Sequence, residues 1–177
     1  MKHTTNRQSF TLIELLLAMA LLSILIVLLT GNFSTTLKRG RDQQRKNDLN
    51  QVQKVLELYY EDNQKYPIFT PANGGNEIFG KKLCTSKVTA FNSSCPVTDT
   101  TYMIKTPQDP SSSYVYKYVP DATGSSYYLY SYIENDLDQG SGVSKTGFNT
   151  DVYCDSAGTL LCRYYVSSSN ADPLTPN

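Results

Sequence analysis

The sequence predicts an α+β protein in which one long N-terminal helix, half apolar and half amphipathic, packs its outer half on a small antiparallel β-sheet. Three observations carry this reading: an apolar run from Phe10 to Thr30, a polar continuation to Tyr66 that keeps a helical period, and tyrosine-rich alternating segments beyond residue 110.

Within Phe10 to Thr30 only Thr11, Glu14, Ser23 and Thr30 are polar. At about 1.5 Å per residue the run makes a rod of about 31 Å, which matches the hydrocarbon core of a bilayer. It is expected to be a transmembrane helix. Residues 1–9 form a short leader with Lys2 and Arg7, read as an address outside the fold and held in the cytoplasm by the positive-inside rule. The remainder is then outside. A conventional secretory signal has a shorter apolar core ending in a small-x-small cleavage site, and Gly31-Asn32-Phe33 is not one. The apolar segment therefore stays with the protein. Glu14 is its one charge. A carboxylate at such a place costs on the order of 3 kcal/mol on insertion scales and marks a site with a partner, snorkelling toward the near end being the simpler alternative.

From Gly31 to Tyr66 the chain is polar but periodic. Leu49, Val52, Leu56 and Tyr59 recur at steps of three and four, and Val55 and Leu58 widen the stripe, so this half presents one face to a folded partner. No proline lies between Phe10 and Lys65, which predicts one continuous helix. Gly31 and Gly40 are its weak points, each costing about 1 kcal/mol relative to Ala. The run Lys38 to Lys46 holds five cations against Asp42 and is read as a solvated helix face in preference to a lipid or nucleic-acid patch. Tyr66-Pro67 ends the helix.

The segment Ile68 to Thr106 lacks a sustained period and is expected to be a loop-rich excursion pinned by a Cys84 to Cys95 disulfide. A hairpin follows, Tyr114 to Val119 and Tyr127 to Ile133 around turn residues 120–126. Tyr114, Tyr116 and Tyr118 share one face, and Tyr128, Tyr130 and Tyr132 share one face of the partner strand. Packing of the sheet on the helix is the preferred account of these tyrosines over a stacking platform for bases or sugars. A second hairpin is expected from Val152 to Val166, stapled by Cys154 and Cys162. Four cysteines allow three pairings, and the sequence excludes none. Residues 167–177 are expected to be a flexible tail.

Lysine plus arginine and aspartate plus glutamate each number 16, and the isoelectric point is about 6.6, so no whole-molecule nucleic-acid footprint exists. The cysteines contain no CxxC and the one histidine, His3, sits in the leader, which favours disulfides in an exported protein over structural zinc. No Ser/His/Asp, Cys/His or phosphate-loop arrangement can be built, so an enzyme is not expected.

Ser9-Phe10-Thr11-Leu12-Ile13-Glu14-Leu15-Leu16, behind a basic leader and ahead of an apolar run, resembles the class III signal of type IV pilins and pseudopilins. The resemblance implies cleavage by prepilin peptidase between Ser9 and Phe10 and methylation of the new amino terminus. The family usually has Gly before the cut, and here Ser9 stands there. It further implies that Glu14 meets the amino terminus of a neighbouring subunit at Phe10. Many pilins have a proline, where the helix melts on assembly, near the place of Gly31, so the helix is expected either to loosen around this glycine or to tolerate it undistorted. The Cys154 to Cys162 bridge resembles the C-terminal disulfide loop of many pilins. The chain is then expected to divide into leader 1–9, transmembrane and filament-core helix 10–30, amphipathic helix 31–66, α+β head 67–166 and tail 167–177.

The function implied is a structural subunit of a type IV pilus, stored in the cytoplasmic membrane as a single-pass protein and then polymerised into an extracellular filament for attachment, twitching or DNA uptake. Its partners are copies of itself, prepilin peptidase, the assembly platform and minor pilins; DNA is not indicated by the residues. Alternatives are a pseudopilin of a type II secretion or competence machine and a non-polymerising membrane-anchored adhesin. No cofactor is required, with one permissive site: Glu134, Asp136 and Asp138 lie in a glycine-containing loop suited to calcium, against the default of a solvated acidic turn. Asp109-Pro110, Tyr114-Val115-Tyr116, Ser131 and this loop follow the order seen in major pseudopilins of type II secretion, without their Trp-Gly and Gly-x-Asp-Gly.

Overall fold

The computed structural model describes residues 10–68, 78–85, 91–92, 95–148 and 152–174, with backbone alone at 28–32 and 91–92. Helix α1 covers Leu12–Asn63 and is followed by six short strands: β1 (Lys82–Cys84), β2 (Phe91–Asn92), β3 (Thr101–Met103), β4 (Lys117–Pro120), β5 (Tyr127–Ser131) and β6 (Tyr164–Ser167). The chain divides into two compact units, Met1–Lys38 and Arg39–Asn177. The arrangement is a long N-terminal helix with its later half packed on small antiparallel sheets, an α+β pilin-like fold. Helical backbone runs through both Gly31 and Gly40.

In the second unit the buried stripe of α1 includes Leu49, Val52, Leu56 and Tyr59, as the period predicts, whereas Leu58 points to solvent. A stripe of one helix face spans about 100°, and Leu58 lies one step off it, beside Tyr59. The sheet is not single. Strands β2-β1-β3 make one three-stranded sheet and β4-β5-β6 another, all neighbours antiparallel. The stretch expected to be loop-rich therefore supplies the first of them, with Cys84–Cys95 paired across it.

The hairpin β4–β5 pairs Tyr118 with Leu129 and Pro120 with Tyr127. Alternation along β5 turns Tyr127 and Leu129 toward α1, where they join Tyr116 and Tyr118 in the main core, while Tyr130 faces a second cluster around Cys154 and Cys162. Tyrosine fits this core because four of its hydroxyls find acceptors there. Tyr116 donates to Asp48 Oδ2 at 2.8 Å, Tyr118 to the Pro67 carbonyl at 2.9 Å, and Tyr127 and Tyr66 to the two oxygens of Glu57 at 2.9 and 2.7 Å. The turn between the strands needs glycine at one place. Gly124 has φ of 74°, its carbonyl accepts the Tyr66 N–H at 2.9 Å, and a Cβ there would lie 2.9 Å from the Tyr66 carbonyl oxygen.

The expected second hairpin is cut short. Tyr153 and Leu161 form a single antiparallel bridge, the Asp155 carboxylate takes the N–H groups of Thr159 and Leu160, and the Cys154–Cys162 disulfide closes the loop. Beyond it Tyr164–Ser167 leaves to pair with β5, since that strand still has an unpaired edge and the tight disulfide loop offers no further partner. The segment read as a tail begins inside β6. Ser168 Oγ accepts the Tyr127 N–H, the Asp172 carbonyl accepts the Tyr128 hydroxyl, and the Leu174 N–H reaches Tyr165; residues 175–177 lie outside the described residues.

Leu56 is fully buried, so Leu56→Ala is expected to lower unfolding free energy by about 2–5 kcal/mol, read as a lower urea midpoint at unchanged slope.

Candidate functional site

The first unit carries the segment that the sequence singles out. Thr11 caps α1: its Oγ1 accepts the Glu14 N–H at 3.4 Å and its carbonyl the Leu15 N–H at 3.3 Å. Thr11-Leu12-Ile13-Glu14 thus has the order of a capping box, and Glu14 stands in the first turn where the helix dipole favours a negative charge. Every large apolar side chain described from Phe10 to Val27 is more than half exposed, from 54% at Leu25 to 84% at Phe10. They ring the helix. A helix apolar on all sides is stable only inside lipid or a protein core. Among the described residues no helix is long and apolar enough to cross a membrane; the sequence continues the apolar run through Leu28 to Thr30, whose side chains lie outside them. Ser9, the residue before the expected cut, also lies outside the described residues.

The second unit holds a charged site that sequence reasoning placed in solvent. Arg45 is fully buried and Asp42 nearly so. Arg45 Nε and Nη2 donate to Asp109 Oδ2 and Oδ1 at 2.7 and 2.9 Å, while Nη1 donates to Asp42 Oδ1 and Glu134 Oε1, both at 2.8 Å. Arg41 makes its own fork to Glu134 at 2.8 and 2.6 Å. Asp42 in turn accepts the backbone N–H groups of Glu134 and Asn135, and Asp109 that of Ser111. Each carboxylate is filled, as burial demands.

The solvated-face reading of Lys38 to Lys46 therefore fails for its second half. A signal was present: the step of three and four, carried back from Leu49, lands on Arg45 and then on Asp42. Their charge concealed a core position.

Aromatic rings extend the site. The Arg45 guanidinium lies over Tyr114 at 5.1 Å, Tyr114 stacks on Tyr132 at 4.5 Å, and Arg163 lies over Tyr132 at 5.7 Å. Four side chains from separate segments form one stack.

Burial opposes charge on Arg45, but the Asp109, Glu134 and Asp42 carboxylates outweigh it and raise the guanidinium above its ordinary value. Hydrogen bonds from Arg41, then Arg45, hold Glu134 down at about 2 despite partial desolvation.

The structure does not bring Glu134, Asp136 and Asp138 onto a common point. Glu134 pairs with Arg41 and Arg45, Asp136 with Arg163, and Asp138 with Lys46. Among the described residues no group of three His, Cys, Asp or Glu could hold a metal ion. Both cysteine pairs are joined, Cys84 to Cys95 and Cys154 to Cys162.

Residues 4–30 match the family described as the prokaryotic N-terminal methylation motif. This is the class III signal, and it is consistent with a protein of the type IV pilin and pseudopilin kind, structural in role. No curated protein and no solved structure matches the chain.

Removing Arg45 leaves the Asp42 and Asp109 carboxylates without their guanidinium and Glu134 with Arg41 alone, so Arg45→Met is expected to cost about 3–5 kcal/mol in equilibrium unfolding. Arg45→Lys recovers only part of it, because an ammonium cannot fork to Asp109 while reaching Asp42 and Glu134. Glu134 has a folded pKa near 2 against an ordinary 4.5; its contribution is complete above pH 4.5 and disappears as pH falls through 2. Stability measured from pH 5 to 2 should therefore fall less steeply in Glu134→Gln than in the wild type.

Proposed function

We propose that this chain is a pilus subunit of the type IV kind, polymerised through its N-terminal helix. The observation that supports this most is the methylation motif at 4–30 leading into a helix whose apolar side chains are exposed on every side. Such a surface needs two successive hosts, the cytoplasmic membrane as a single-pass anchor and then the helical bundle of a filament. In this reading prepilin peptidase cuts between Ser9 and Phe10 and the new amino terminus is methylated. Glu14 then sits four residues from that terminus, and in low dielectric an opposite charge on a neighbouring copy is its natural partner. The pairing fixes the depth at which each subunit docks. Within one subunit the Glu14 N–H belongs to the capping turn of α1, and the residue is exposed, open to a second copy.

A pseudopilin of a secretion machine is the second reading. It is favoured by the order Asp109-Pro110, Tyr114-Val115-Tyr116, Ser131, acidic loop, whose members Asp109, Tyr114 and Glu134 gather around Arg45. Long surface fibres containing this chain distinguish the two, since a pseudopilus stays short.

Mass spectrometry of sheared surface material should find an N-terminus at a methylated Phe10; fibres whose subunits begin at Met1 would refute the reading. Glu14→Ala is expected to be inserted and cleaved at normal levels yet to yield no fibres by electron microscopy.

A further inference from the structure

The acidic loop after β5 raises a question separate from polymerisation. Glu134, Asp136 and Asp138 have the composition of a calcium loop, and calcium takes six to eight oxygen ligands. The donor set here does not fit that ion. Glu134 spends both oxygens on guanidinium N–H groups of Arg41 and Arg45. Asp138 receives Lys46 Nζ on Oδ2 at 2.6 Å and the Gly140 N–H on Oδ1 at 3.1 Å. Asp136 receives Arg163 Nη1 at 2.8 Å, and the same nitrogen also donates to the Ile133 carbonyl at 2.9 Å, removing a main-chain oxygen at the start of the loop. The Asn135 side-chain oxygen takes the Leu137 N–H. A divalent ion at the loop would have to displace these donors and sit among four positive side chains.

The cations are also placed to do what a metal does. Arg41, Arg45 and Lys46 lie within two turns of α1, so Glu134 and Asp138 tie the two ends of the loop to one helix. Asp42 takes the loop's first two N–H groups from the same turn. Arg163, just before β6, holds the middle. Lys46 additionally lies 5.5 Å over the Tyr164 ring, which fixes its ammonium between the strand and the loop.

We infer that the loop 134–138 is held on α1 by this chain's own arginines and lysine in place of a divalent cation, and that it takes no calcium. The inference is independent of whether the chain forms long fibres.

The test uses the full chain in detergent micelles. Terbium serves as the calcium-sized probe, excited through tyrosine, because Tyr132 and Tyr164 pack against the cations that hold the loop. The readout is the difference in emission between the wild type and an Asp136→Asn/Asp138→Asn variant. No saturable difference is expected; a saturable difference reversed by calcium overturns the inference. Thermal unfolding of the wild type alone gives a second reading that no variant's misfolding can spoil. Its midpoint should be the same in excess calcium and in chelator, and a rise with calcium overturns the inference. Finally, Lys46→Met should lower the midpoint in calcium-free buffer, and adding Asp138→Asn should lower it little further. Losses that simply add would show that the pair does not act as a unit.

Discussion

One buried guanidinium fixes the geometry of the head. Arg45 makes four hydrogen bonds to three carboxylates carried by α1, by the 109–111 turn and by the loop after β5. These segments are far apart in sequence, and a planar fork satisfies all of them in one relative position only. The net stabilisation is small, because desolvation offsets most of the attraction. Its consequence is geometric: any other docking of α1 on the sheets leaves a charge buried and unpaired, and that is expensive.

The tyrosines follow the same logic at lower charge. Asp48 and Glu57 on α1 take hydroxyls from Tyr116, Tyr66 and Tyr127, so the helix face that meets the sheet is apolar along its centre and acidic along its flanks. Phenolic rings satisfy both parts, filling space between Leu49, Val52 and Leu56 while their ends reach carboxylates. Burial and these carboxylates raise the Tyr116 and Tyr127 hydroxyls well above their ordinary value. The tyrosine content thus belongs to the interior of the head and to its α1 contact.

The N-terminal unit has the opposite character. Its helix is capped from within, by Thr11, and the large apolar side chains described from Phe10 to Val27 are more than half exposed. A head held together by buried ion pairs and hydrogen bonds and a helix with exposed apolar side chains suit the proposed subunit, whose folding and assembly are then separate events.

How much the residues alone determined differs between these parts. The helix, its apolar run, the stripe of Leu49, Val52, Leu56 and Tyr59, the hairpin of β4 and β5 and the segment matching the methylation motif are local patterns, and periodicity or a contiguous motif carries each. The second sheet, the departure of β6 from the Cys154 loop and the pairing of each acidic residue were decided by tertiary structure. The reason is physical. A charged residue at a buried helical position looks the same in sequence as a solvated one, because what makes Arg45 a core residue is Asp109 and Glu134, 64 and 89 positions away. Local spacing determines which face of α1 turns inward; only the folded chain determines that this face begins with a charge.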